Sequence, residues 1–160
     1  GEGGGGTSAA VTNNTGNSAS PGNATSSLGH NYGQGAIISK IQSNVFYVAN
    51  NVAGVPSLFR KKLTAGENAE ELVAGVDQLS FRYGLDSNED RQLDSYTEAP
   101  ATSQLNRIMA VRTSMLLRGE RQNIVDGEQG FVLDGDVINR DDGRLRYVMS
   151  STATVRNRAP

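Results

Sequence analysis

The 160-residue chain has no cysteine, no tryptophan and one histidine. Without cysteine it carries neither a disulfide staple nor thiolate chemistry. That says little about compartment, because an oxidising periplasm permits disulfides without requiring them. With His30 as the one histidine, a metal site built on paired His or Cys ligands is excluded. Aromatics make up 6% of residues, which argues against a stacking platform for sugars. Charge is also short: 15 basic against 17 acidic residues leave a net −2 and a pI of about 5.4, so no global field attracts nucleic acid or anionic lipid. No apolar run approaches the ~20 residues of a membrane-spanning helix, and nothing at the start resembles a signal peptide.

The inventory for catalysis is equally thin. His30 falls in a stretch rich in Gly, Ser and Asn, a poor place to hold a general base. Gly3 to Gly6 have no strand before them and no Lys-Ser or Lys-Thr after them, so they do not form a phosphate loop. The nucleophile-elbow pattern Gly-x-Ser-x-Gly is absent. Catalysis is not the expected role.

What is present divides in two. Residues 1–35 hold ten of the nineteen glycines, many Ser, Thr and Asn, one acidic residue and no Lys or Arg. Such a segment has little apolar surface to offset the entropy of ordering, so it reads as a flexible loop or linker. Residues 36–160 read as one folded domain, long enough for a modest core. Ala36-Ile37-Ile38, Val45 to Ala49 and Ser57 to Arg60 are short strand candidates. Glu67 to Leu72 fits one or two helical turns, with Asn68 as a cap.

Residues 71–158 read as four β-strands joined by polar turns, and their period is two. Asp77, Leu79, Phe81, Tyr83 and Leu85 form one row, opposed by Gln78, Ser80, Arg82 and Gly84. Met109, Val111, Thr113, Met115 and Leu117 form a second apolar row. Leu145, Tyr147, Met149, Ala153 and Val155 form a third, opposed by Arg144, Arg146, Ser150, Thr152, Thr154 and Arg156. Between them, Asp134-Gly135 separates two apolar runs and predicts a tight hairpin, while Asp142-Gly143 predicts the turn into the last strand. One-sided strands of this kind make an antiparallel sheet that needs cover on its apolar face.

Asp86-Ser87-Asn88-Glu89-Asp90-Arg91-Gln92-Leu93-Asp94 is the sharpest local constellation. Oxygens of Asp86, Asn88, Asp90 and Asp94, with the Gln92 carbonyl, could wrap a hard cation such as a structural Ca²⁺. Against that, the sixth position is Arg91 and not the sharp-turn glycine, and the twelfth is Thr97, which has no carboxylate. An ordinary solvated acidic turn is the competing reading. The acidic residues between Asp126 and Asp142 sit beside glycines and read as turn formers.

Several phrases in one order carry a family resemblance: Leu72-Val73-Ala74-Gly75-Val76, Leu79-Ser80-Phe81-Arg82-Tyr83-Gly84, Asp86-Ser87-Asn88-Glu89-Asp90, Met109 to Arg118, Arg144-Leu145-Arg146-Tyr147 and Val155-Arg156-Asn157-Arg158. This order resembles the C-terminal half of PilW-type minor pilins of type IV pili, which are related to GspJ-type pseudopilins. One departure is the Trp that often precedes the Val-Arg strand; here the chain reads Gln104-Leu105-Asn106-Arg107-Ile108. The resemblance implies an α+β, pilin-like ectodomain, mainly antiparallel β-sheet in this chain, whose N-terminal helix is absent from the sequence given. It implies a protein that helps initiate pilus assembly and joins the pilus tip, with other minor pilins and a tip adhesin as partners. The inner membrane would be engaged through the missing helix, and no nucleic acid is expected. The expected location is the inner membrane and periplasm before assembly and the pilus tip afterwards. By analogy Arg144, Arg146, Arg156 and Arg158 become interface candidates, together with the loop 86–96; a solvated strand end is the plainer reading of the arginines. A type II secretion pseudopilin and a stand-alone β-rich adhesin are the alternative readings.

Overall fold

The computed structural model describes residues 42–63 and 66–155. The linker at 1–35, His30, the strand expected at 36–38, and Arg156 and Arg158 lie outside these residues. Two contact units divide the chain: Gly1–Asn44 with Lys62–Asn68, and Val45–Lys61 with Ala69–Pro160. In the first, Leu63 N–H donates to the Ser43 carbonyl at 2.8 Å, and Lys62 lies 3.9 Å from Glu67.

Nine strands are present among the described residues: β1 (Asn44–Asn50), β2 (Pro56–Lys62), β3 (Glu70–Ala74), β4 (Val76–Leu85), β5 (Ser95–Thr97), β6 (Ile108–Arg118), β7 (Gln129–Leu133), β8 (Asp136–Arg140) and β9 (Arg146–Thr154). They form three sheets, ordered β1-β2-β3, β5-β4-β6-β9 and β7-β8. The expected α+β character is not found among the described residues, where the one helix is a six-residue 3-10 turn, Thr102–Arg107. The described fold is mostly antiparallel β-sheet.

The helical turns expected at 67–72 are also corrected, because Glu70–Ala74 is extended and pairs with β2. Gly75 ends this strand at φ +81°, its N–H donating to the Pro56 carbonyl and its carbonyl accepting from Arg118, both at 2.8 Å. Those two bonds need an extended approach that a helix would not supply, and Arg60 pairs with Glu70 at 2.6 Å across the ladder.

The long strands carry the period of two read from the sequence, with two interruptions. Register shifts between Val76 and Gln78, so Asp77 is an extra residue on β4 and leaves the apolar row. A second shift lies beside Gly84 and Leu85, where Ile108 pairs with Leu85 and Ala110 with Gly84, leaving Met109 as the extra residue on β6. Val76, Leu85 and Met109 are buried around these bulges.

The hairpin expected at 131–138 is present. Asp134 (φ +51°) and Gly135 (φ +101°) supply the two positive-φ positions of its turn, joining β7 to β8 in unbroken register. Its Leu133 and Ile138 close a core with Leu116 of β6, and Phe131 and Val148 pack around it. This core lies on the even-numbered face of the four-stranded sheet. Fully burying a leucine such as Leu116 is worth about 1.5–3 kcal/mol.

Candidate functional site: an open apolar sheet face with a buried charge cluster at its end

Cross-strand register gathers the odd-numbered residues into rows on the other face. Leu79 lies beside Met115 and Met149, Phe81 beside Thr113 and Ser151, Tyr83 beside Val111 and Ala153, and Leu117 beside Tyr147. None of these residues is buried: those of β4 and β6 are half-covered, and those of β9 are exposed. Tyr147 keeps 69% of its surface and Met149 43%, so no second layer closes over this end of the face. Two faces of one sheet have therefore met different fates. The even face packs beneath a hairpin around Leu116 and Val148, and the odd face is half-covered on β4 and β6 and exposed on β9.

The end of the sheet holds charges in its interior. The bulge turns Asp77 toward the arginine side of the sheet, where Arg146 Nε donates to Asp77 Oδ2 at 2.6 Å and Arg118 Nε lies 3.5 Å from Oδ1. Arg146 also donates to both Asp142 oxygens, at 2.5 and 2.8 Å. Its side chain is 2% exposed and that of Asp77 7%. Hydrogen bonding to Arg146 holds the Asp142 carboxyl well below the usual carboxylate range, and Asp142, more than Asp77, raises the Arg146 guanidinium above its ordinary value. Both charged forms are thus fixed together.

A second polar group sits under the hairpin turn. The Ser114 hydroxyl donates to Asp134 Oδ1 at 3.0 Å and shares a 2.8 Å bond with the Ser150 hydroxyl. Arg82 and Arg112 are direct cross-strand neighbours, a like-charge arrangement that costs stability unless each is compensated. Arg82 is compensated by the Asp134 carbonyl at 3.1 Å and by Glu98 at 3.5 Å, while Arg112 stacks over Tyr96 at 3.9 Å.

The candidate cation loop is organised by its own backbone. Asp86, buried, accepts N–H bonds from Glu89 (2.6 Å) and Asp90 (3.2 Å) through Oδ1 and from Arg91 (2.9 Å) through Oδ2. Asp94 accepts from Ser87 N–H at 2.6 Å, and Asp90 from Gln92 N–H at 2.8 Å. Asn88 donates to Asp90 at 3.1 Å. Glu89 and Arg91 adopt positive φ, which points successive N–H groups inward at Asp86. A cation here would compete with backbone donors for the same oxygens. Among the described residues no group of three or more His, Asp or Glu is arranged to hold a metal ion.

Of the four arginines named as interface candidates, two fall in the described residues. Arg146 is enclosed by its pairings with Asp77 and Asp142. Arg144 donates to the Glu120 and Gly119 carbonyls and lies 3.9 Å from Asp142. The partners Asp77, Arg118 and Asp142 were missed by the sequence reading. A lone Asp in an otherwise apolar strand row was the signal that could have found the first of them.

The described residues thus form antiparallel β-sheets, the four-stranded one with a hairpin packed on one face and an apolar, partly exposed row set on the other, and no helix among them is long and apolar enough to cross a membrane. The family model for type IV pilus-assembly protein W, PilW, matches residues 45–157. The chain belongs to that family, which associates it with type IV pilus assembly at the cell envelope. No curated protein and no solved structure matches it.

Proposed function

We propose that this chain is a minor pilin whose open sheet face is the seat for an apolar helix, and that it works by fitting into the complex that initiates the pilus and occupies its tip. The observation that carries this reading is the row set Leu79–Met115–Met149, Tyr83–Val111–Ala153 and Leu117–Tyr147, apolar across three strands, half-covered on β4 and β6 and exposed on β9, opposite the face on which the hairpin packs. A sheet with one apolar side gains stability only when that side leaves water, at about 25 cal/mol per Å² of apolar area. Pilins, as implied by the resemblance, carry a long apolar N-terminal helix suited to such a seat. The partners are then other minor pilins and a tip adhesin, and the action is recognition without turnover of a substrate.

The test is complementation in the source bacterium by the complete gene, with Met115→Glu or Leu79→Glu on the open face. Surface pili counted by electron microscopy should be lost. The same substitutions, placed on a half-exposed face of the 160-residue chain, should change its melting temperature little. Normal piliation by both variants would refute the seat.

A further inference from the structure

We propose that β9 is a strand-acceptor edge and that its occupant is β9 of a second copy of this chain, paired antiparallel about a two-fold axis. Among the described residues only β6 flanks β9 in the sheet. Leu145 accepts from Gly119 N–H and Val155 donates to the Met109 carbonyl, so the odd-numbered residues of this strand turn their main-chain groups toward β6. Register is unbroken from 146 to 154. By the alternation of an antiparallel ladder, Val148, Ser150, Thr152 and Thr154 turn their N–H and C=O groups outward.

Proteins normally blunt such an edge with charge, proline, a bulge or brevity. Other edges here show those devices: β5 is three residues long, and β3 carries Glu70 and Glu71 beside a register shift. From Tyr147 to Thr154, β9 has no charge, proline, glycine or bulge, and at nine residues it is the longest edge strand among the described residues. β1 is also uncharged, but it is apolar on both sides (Val45, Tyr47 and Ala49 against Phe46 and Val48), so it specifies no face for an added strand.

The side chains of β9 select its own copy. A two-fold axis at Ser150 sets Ser150 against its equivalent, Val148 against Thr152 of the partner subunit, Met149 against Ser151 of the partner subunit and Tyr147 against Ala153 of the partner subunit. Outward main-chain groups then face outward main-chain groups, making about six hydrogen bonds. On the hairpin side Ser150 meets its equivalent and Val148 meets the partner's Thr152, while Tyr147 and Met149 extend the apolar side into the second sheet. No charge is opposed, because Arg146 is already neutralised by Asp77 and Asp142. This inference stands on edge geometry and does not depend on the proposed helix seat.

The experiment is sedimentation equilibrium of the 160-residue chain up to about 200 µM, where an interface of this small class associates, together with residue-resolved amide exchange. A monomer–dimer equilibrium is expected. The Val148, Ser150, Thr152 and Thr154 amides should slow as concentration rises, whereas those of Met149, Ser151 and Ala153 are slow throughout. Thr152→Pro removes one outward donor and no β6 bond, and should weaken association at least about tenfold. Ser151→Lys sets two lysines diagonally across the axis and should weaken it in a manner rescued by salt. Persistent protection of the odd-numbered amides reports that each variant is folded. A chain that stays monomeric, even-numbered amides indifferent to concentration, or a folded variant that dimerises like wild type would overturn the proposal.

Discussion

Replacing Arg146 with methionine removes a guanidinium while leaving a side chain of similar length, and so isolates the cost of abandoning Asp77. The Arg146 and Asp77 side chains are 2% and 7% exposed and meet at 2.6 Å. Removing one partner of a buried pair costs about 3–5 kcal/mol, because the other charge is left without compensation. Arg118 remains 3.5 Å from Asp77, which places the expected loss at the lower end, about 3 kcal/mol. Asp142 adds little, since its side chain is 36% exposed and water can replace the lost partner. In a domain of this size the loss corresponds to a melting temperature lower by roughly 10 °C, readable by circular dichroism, with a matching shift of the guanidinium midpoint at constant slope. A double variant, Asp77→Leu with Arg146→Met, removes both charges and should return to within about 1 kcal/mol of wild type. A single variant within about 0.5 kcal/mol of wild type would refute the internal role and return Arg146 to the set of interface candidates.

Asp86→Ala deletes the acceptor of three N–H bonds and should cost about 2–3 kcal/mol, seen in urea melts. The wild-type melting temperature should be the same in millimolar Ca²⁺ and in EDTA, and a rise with Ca²⁺ would show that a cation displaces those donors. Gly75→Ala should cost at least about 2 kcal/mol, since the residue sits at φ +81° and a Cβ would stand 2.8 Å from the Arg118 carbonyl oxygen; an unchanged midpoint contradicts that geometry. Stability should fall at low pH partly through Asp142. Its folded pKa is depressed, so its contribution is present above the unfolded value of about 3.9 and is lost as pH drops below that. Asp142→Asn should flatten the acid limb of a melting-temperature profile from pH 7 to 2, and an unaltered limb would remove Asp142 from the account.

Local chemistry was legible in the chain wherever one residue's own preference decided the outcome. Asp134-Gly135 reads as a hairpin because both positions accept positive φ at low cost, and the turn is there. The alternation of 79–83 and 111–117 predicts a one-sided sheet because adjacent side chains of an extended chain must point to opposite faces. Even the loop at 86–94 was visible as a polar constellation, since it carries six side-chain amide or carboxyl groups among nine residues.

Tertiary structure decided whatever depended on register or on distant partners. Asp77 belonged to the apolar row until a bulge against β6 turned it toward Arg146, 69 residues away. Residues 70–74 carry helix formers such as Glu and Leu, yet pairing with β2 and the Gly75 contacts drew them into a strand, because main-chain bonds to neighbouring strands outweigh a propensity of a few tenths of a kcal/mol per residue. Likewise the loop carboxylates point at their own backbone, a choice set by the positive φ of Glu89 and Arg91 and not by the order of acidic residues. Composition and period alone determined a sheet with one apolar side. Which side is packed, which arginine is spent inward and which strand edge stays bare came from the folded chain, because each requires knowing what lies across the ladder.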